Sequence, residues 1–142
     1  MATTVMQMAE QLLLAAINRD RAAHGVAPLT LDSRQSRCSR KHSSHMAATG
    51  AISHDQFPAD VCIPHTYVGE NVGEDTDTPS TAVLNLHSLM MKEGPCPQSP
   101  CTGANFEAHG HYLNLVNPTY KRVGIGIVAV NGTTWLTEDF AS

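Results

Sequence analysis

Aromatic residues are scarce in this sequence: Phe, Tyr and Trp supply 5 % of its 142 residues, with a single Trp. A core made from it must be filled mainly by Leu, Val, Ile, Met and Ala, and a 42 % hydrophobic share is enough to fill one. Charge is scarce too, at 15 % Asp, Glu, Lys and Arg against about a quarter in ordinary domains. Thr, Ser, Asn, His and Gly do the solvating instead, a pattern compatible with an extracellular surface. The formal net charge is −4, which argues against a nucleic-acid partner, since such a site wants a basic domain with interleaved aromatics. The largest basic group, Arg34, Arg37, Arg40 and Lys41, has helical spacing and reads as a solvated helix face.

Long apolar runs are also missing. The longest, Leu12 to Ile17, falls far short of the ~20 residues needed for a transmembrane helix. The opening Met1-Ala2-Thr3-Thr4 has no basic n-region, so no signal peptide is legible. That fits either a cytosolic protein or a mature form given a new start Met. No repeat or low-complexity tract interrupts the chain, and its length suits a single domain spanning residues 1–142.

Four cysteines, Cys38, Cys62, Cys96 and Cys101, form an even set without the C-x-x-C pairs of a structural zinc site. The loop Cys96-Pro-Gln-Ser-Pro-Cys101 holds its ends close, and a bridge there would leave Cys38 with Cys62. Three pairings are open on sequence grounds, as is a set of buried free thiols. Disulfides would favour the mature, extracellular alternative over the cytosolic one.

The pattern of elements is readable. Thr3 or Thr4 caps a first helix ending near Ala23, with Val5, Met8, Leu12, Ala15 and Ala16 at helical spacing and Gly25 as the stop. Asp32 caps a second helix from Ser33 to about Thr49, closed by Gly50. Residues 51–79 read mostly as loop, with a short strand around Tyr67 to Val72. A third helix runs from near Ser80 to about Glu93, and a short one spans His111 to Val116. Val123, Ile125, Ile127 and Ala129 alternate with Gly124, Gly126, Val128 and Val130 as in a strand. Asn131-Gly132 is a two-residue hairpin turn, and Thr133 to Phe140 returns. Helices first and a hairpin last predict an α+β fold with helices covering an antiparallel sheet.

Eight histidines are many for this length. His24, near a helix C-terminus, and His42 and His45, within the second helix, read as structural. No H-E-x-x-H and no G-x-S-x-G is present, and Gly69 and Gly73 lack the Lys-Ser/Thr of a phosphate loop. No serine or cysteine stands out as an activated nucleophile.

Several segments together resemble the CAP superfamily of cysteine-rich secretory, antigen-5 and pathogenesis-related proteins, also described as SCP-like extracellular domains. They are Asn18-Arg19-x-Arg21-x-x-His24-Gly25, Pro28-Leu29-x-Leu31-Asp32, His42 through Met46 and Gly50 to Ser53-His54, and Gly69-Glu70-Asn71. Gly110-His111-Tyr112 with Asn114, Pro118 and Tyr120, then Val123-Gly124-Ile125-Gly126 and Glu138-Asp139-Phe140, complete the series. The resemblance runs from about residue 10 to 142 and is to bacterial members. Leu113-Asn114 stands where eukaryotic members have Thr-Gln, and Gln35 stands where an apolar helix residue is usual.

The resemblance implies a three-layer α-β-α sandwich, and an open cleft holding two histidines and two glutamates. Carried over residue by residue, these are His54, Glu70, Glu93 and His111, with Glu107 the competing choice for the second glutamate. Asn71 is expected to serve the fold rather than a metal. Such a set suits zinc, with calcium or magnesium as alternatives, or it forms a polar cluster that merely binds the cleft together. The implied role is that of a secreted, monomeric, extracellular binding domain with no transmembrane segment. Its cleft would take a divalent cation and an unidentified small ligand, lipid, cell-wall fragment or extracellular protein. The alternative is a metal-dependent hydrolase using Glu70 or Glu93 as general base.

Overall fold

Helices in this chain start where a small polar side chain can answer free backbone N–H groups. A computed structural model of the protein describes residues 3–142; Met1 and Ala2 of the opening tetrapeptide lie outside the described residues. Thr3 accepts from the Met6 amide at 3.3 Å and opens α1, Thr4–Ala23. Asp32 accepts from the Gln35 amide at 2.8 Å and opens α2, Ser33–Thr49, which Gly50 closes at φ 75° in the left-handed region. Between them lies β1, Thr30–Leu31. Further along come β2, Val68–Asp75, and α3, Pro79–Lys92, whose proline sits in the first turn where no N–H is missed.

The next helix departs from expectation. α4 spans Gly103–Val116, beginning well before His111. Gly103 and Gly110 depress helix propensity there, and only Tyr112 and Leu115 are buried on this helix, so no apolar stripe announces it. β3, Arg122–Val130, and β4, Thr133–Ala141, form the hairpin, with Asn131 at φ 51° and Gly132 at φ 79° in its turn.

The strands align in the order β1-β3-β4-β2; β1 runs parallel to β3 and the other pairs are antiparallel. Successive side chains point to opposite faces of a strand. Val123, Ile125 and Ile127 face one side, where with Leu136 and Phe140 they join Ala9, Leu13 and Ile17 of α1 and Val83, Leu86 and Met90 of α3 in the main core. α2 covers the other face, with Met46 against Val72 and Trp135, and the loop after it adds Val61 and Ile63 against Ala141. The protein is thus an α+β sandwich of three layers, with a small mixed sheet between helices.

Gly124 and Gly126 are what allow α2 to sit on its face. A Cβ at Gly126 would lie 2.2 Å from the Ser39 carbonyl carbon, and one at Gly124 2.6 Å from the same atom of Gln35. The helix backbone rests directly on the strand.

On α1 the buried stripe is Ala9, Leu13, Ala16 and Ile17, whereas Val5, Met8, Leu12 and Ala15 are exposed. An apolar run as continuous as Leu12 to Ile17 presents apolar residues all round, so periodicity alone marks the wrong face. The family-like positions have structural tasks here. The Asn18 amide donates to Leu29 O at 3.0 Å and accepts from Leu29 N at 2.8 Å. Arg21 is buried and donates to the carbonyls of Ala27, Leu115, Asn117 and Tyr120, tying α1 to the end of α4.

Replacing Gly126 with Ala should lower unfolding stability by about 2–3 kcal/mol, because the added methyl meets backbone that cannot rotate away. An unchanged urea midpoint would mean that α2 does not rest on the sheet in this way. A pH test follows from Glu138, fully buried on the main-core face. Burial pushes its carboxyl up to about 7; the Asn71 amide pulls it down and Asp139 adds to the rise. The folded state therefore keeps a proton that the unfolded chain releases near 4.5. On account of this group, stability declines as pH rises from about 4.5 to about 7 and is flat beyond. Glu138→Gln should flatten that decline and raise stability at pH 8 by roughly 2–3 kcal/mol. Urea unfolding at pH 5 and pH 8 measures it, and an identical decline in the variant would assign it to other groups.

Candidate functional site

Each of the cleft residues expected from the sequence comes from a different part of the fold. His54 lies in the loop after α2, Glu70 on β2, Glu93 at the C-cap of α3, and His111 in α4. They form two pairs: His54 Nδ1 lies 2.9 Å from Glu70 Oε1, and His111 Nδ1 lies 2.6 Å from Glu93 Oε2. The other oxygen of Glu93 accepts from the amides of His111 at 3.0 Å and Tyr112 at 3.2 Å. Glu107 makes no such bond to His111 among the described residues, although it shares the cavity wall. That cavity, about 250 Å³, is lined by His54, Glu70, Asn71, Glu107, His111 and Asn114 among others. A neighbouring space of about 440 Å³ shares His54 and Glu70 and adds the largely apolar walls of Phe57, Val68, Leu113 and Tyr120.

The Gly69-Glu70-Asn71 segment is built for this place. A Cβ at Gly69 would stand 2.6 Å from the Tyr120 hydroxyl, which donates to Val68 O. The Asn71 amide donates to His111 O at 3.2 Å and to Glu138 at 3.1 Å, and accepts from Asn114 at 2.9 Å. Asn71 thus fastens β2 to α4 and keeps the two imidazoles on one cavity.

The His54 side chain is half exposed, while that of Glu70 is buried. Burial, and after it the neighbouring His42, holds the His54 imidazole below its usual 6.5, although Asp60 and Asp139 oppose this. A neutral imidazole is the form that can ligate a metal. Two imidazoles and the Glu70 carboxylate line one cavity, with Glu93 behind His111 and with Glu70 Oε2 buried and without a hydrogen-bond partner among the described residues, a donor set that suits a divalent cation.

Behind Glu70 lies a buried polar cluster that the sequence reading did not anticipate. Across the β2·β4 pair Glu70 opposes Asp139, so both face α2. Gln35, the residue that departs from the family pattern, donates to Asp139 Oδ2 at 3.2 Å and to Asp60 O at 3.0 Å, and accepts from the Cys62 amide at 2.7 Å. Ser39 donates to the same Asp139 oxygen at 2.6 Å. His42 is completely buried, with Nε2 2.7 Å from Ser53 O and Nδ1 2.8 Å from Gln56 Oε1. Burial raises the carboxyls of both Glu70 and Asp139 far above their usual range. Asp60 adds to the rise at each, and Glu70 adds to that of Asp139. Only a polar stripe at helical spacing, Gln35, Ser39, His42 and Ser43, hinted at this cluster. Asp60 and Asp139 come from a loop and a strand far away in sequence.

The remaining expectations fall into place around the site. Cys38–Cys62 and Cys96–Cys101 are disulfide-bonded. Arg34, Arg37 and Lys41 are exposed, while Arg40 pairs with Glu10 at 2.9 Å. His24 lies at the C-cap of α1 with Nδ1 2.7 Å from Asp20 O, and His45 pairs with Asp55 at 2.8 Å.

The two backbone amides that donate to Glu93 Oε1 give a test that separates it from Glu107. Glu93→Ala should raise hydrogen-exchange rates of the His111 and Tyr112 amides at least ~10-fold, as expected for loss of a charge-assisted bond. Glu107→Ala should leave both within about twofold, as expected for a surface change. Equal effects in the two variants would remove Glu93 from its place beside His111.

Residues 14–140 match the model of the Cysteine-rich secretory protein family, CAP. No curated protein matches the chain by sequence. Among solved structures, an extracellular protein containing a SCP domain from Bacillus anthracis is 19 % identical with a TM-score of 0.64, over 92 % of this chain and 39 % of that one. The chain therefore spans about two fifths of that protein's length. An outer surface protein from Borrelia burgdorferi is 11 % identical with a TM-score of 0.72, over 95 % and 92 % of the two chains. NaASP2, in a structure with Zn2+, is 15 % identical with a TM-score of 0.72, over 93 % and 78 %. At such identities the likeness is one of fold.

Proposed function

The chain belongs to the CAP family of cysteine-rich secretory proteins, and from that premise we propose that it is a single extracellular binding domain whose cleft holds a divalent cation. The observation that carries this reading is the pair of imidazole–carboxylate contacts, His54–Glu70 and His111–Glu93, whose two imidazoles and Glu70 line one cavity, with Glu93 behind His111. A metal-ligating histidine typically donates its second ring N–H to a carboxylate, which fixes the tautomer and aims the free nitrogen. On this reading Nε2 of His54 and of His111 hold the ion, and Glu70 and Glu93 orient them. Zinc is the first choice, because imidazole suits it and because a CAP-fold relative, NaASP2, was solved with Zn2+. Bound there, the ion would supply a Lewis-acidic centre for an anionic or carbonyl group of a ligand. The adjoining cavity of about 440 Å³, with its apolar walls, has room for the rest of that ligand.

Two disulfides support an oxidising compartment, and among the described residues no helix is long and apolar enough to cross a membrane. The occupant, whether a lipid, a cell-wall fragment or an extracellular protein, is left to experiment.

Isothermal titration with zinc tests the cation site. His54→Ala and His111→Ala should each weaken binding by at least ~100-fold, whereas Glu93→Gln should cost about 10–100-fold, the usual effect of losing an orienting partner. Glu107→Gln and His24→Ala should bind as the unaltered chain does. If His111→Ala takes up zinc as tightly as the unaltered chain, the four residues form only a hydrogen-bonded cleft.

A further inference from the structure

Beneath α2, three carboxyl groups converge with only imidazoles for positive partners. The ion pairs that Asp60 and Glu70 make among the described residues are with His42 and His54, and Asp139 makes none. The side chains of Asp60 and Glu70 are 6 % and 1 % exposed, and Asp139 is fully buried. Both oxygens of Asp60, Oε2 of Glu70 and Oδ1 of Asp139 are buried without a hydrogen-bond partner among the described residues. Buried polar atoms are nearly always satisfied, so a cluster of orphaned carboxyl oxygens points to a ligand.

The spacing is that of a coordination sphere. One ligand atom each from His42, Asp60 and Glu70 lie within 4.8 Å of one another. His42 Nδ1 is 4.0 Å from Asp60 Oδ2, while the 3.8 Å contact of Glu70 Oε1 is to Nε2 of the same ring. Donors bound at ~2.0–2.2 Å to one ion stand about 3–4 Å apart, which is the spacing Asp60 already has from Nδ1. The surroundings orient the donors. The Ser53 carbonyl can only accept, so it holds a proton on His42 Nε2 and makes Nδ1 the nitrogen that an ion would take. Gln56, whose Oε1 stands 2.8 Å from Nδ1 and accepts a proton from it while no ion is bound, is the group that must turn aside. Gln35 and Ser39 occupy Asp139 Oδ2 and leave Oδ1 free.

We propose that His42, Asp60 and Glu70, with Asp139 beside them, form an interior site for a divalent cation of the manganese type. One imidazole with several carboxylates is the donor set such ions share. The route in is a cavity of about 480 Å³ beside the Cys38–Cys62 disulfide, whose wall includes Gln56 and Asp60. Glu70 stands between this site and the cleft, but the interior site needs neither Glu93 nor His111 and does not rest on the cleft reading.

Manganese is the probe, counted by elemental analysis after chelator treatment and dialysis, with affinity followed by electron paramagnetic resonance. The unaltered chain and His111→Ala should both bind one equivalent. Asp60→Asn and His42→Gln should bind at least tenfold more weakly while keeping the zinc affinity that His111→Ala loses. In this way failure of either site is read separately. A folded Asp60→Asn that binds manganese as the unaltered chain does would overturn the proposal, leaving carboxyls that share protons. A measurement on the unaltered chain removes dependence on variant folding. Substoichiometric manganese should broaden the amide signals of Gln35, Asp60 and Asp139 before those of Glu93 and His111. Broadening that starts at His111, or none at Asp60, would equally overturn it.

Discussion

The direct seating of α2 on β3, at Gly124 and Gly126, is the constraint from which the rest of this structure follows. A helix normally stands about 10 Å from a sheet on a cushion of apolar side chains. Here the cushion is absent at those positions, and small polar side chains do the fitting. Ser36 accepts from the Ile125 amide at 3.1 Å, and Ser43 bonds Gly126 O and the Thr137 hydroxyl at 2.8 Å each. Once that layer is polar it needs partners all the way along, and Gln35, Ser39 and His42 continue it to Asp139 and Glu70. Interior polar networks of this kind are stable only when satisfied, which is why the unpartnered oxygens at its far end carry weight.

Because β2 is an edge strand, Glu70 borders both this interior and the open cleft. The cleft's other half is delivered by the opposite layer. α3 ends at Glu93, and the Glu93 carboxylate holds two consecutive amides of α4 together with the His111 ring. Asn71 links the halves through α4, and Arg21 fixes the end of α4 against α1 through four backbone carbonyls. The cleft is thus spanned by both layers of helices, and disturbing either the α2 seat or the Arg21 clamp should reach it.

Much of the fold was legible because its signals are local. Caps at Thr3, Asp32 and Gly50 and the Asn131-Gly132 turn depend on φ/ψ preferences and on hydrogen bonds within a few residues. The alternation of Val and Ile with Gly in β3 gave both the strand and, in retrospect, the face that lies against a helix. Less local features were misread. Val5, Met8 and Leu12 show helical spacing yet lie outside, because the choice of inward face belongs to the neighbouring α3. The first part of α4 escaped notice because its glycines and its weak apolar stripe conceal it.

The sequence by itself determined the family, the α+β class, the order of the four helices and of the three longer strands, and the four residues put forward for the cleft, since ordered motifs over most of the chain reflect a shared fold. Tertiary structure alone decided how those residues associate. It joined His54 to Glu70 and His111 to Glu93 across gaps of 16 and 18 residues. It also brought Asp60 and Asp139 beneath His42, from 18 and 97 residues away, as follows from their numbering. Nothing local marks such a meeting: an acidic residue in a loop or strand reads as solvated until the packing of distant elements removes its water.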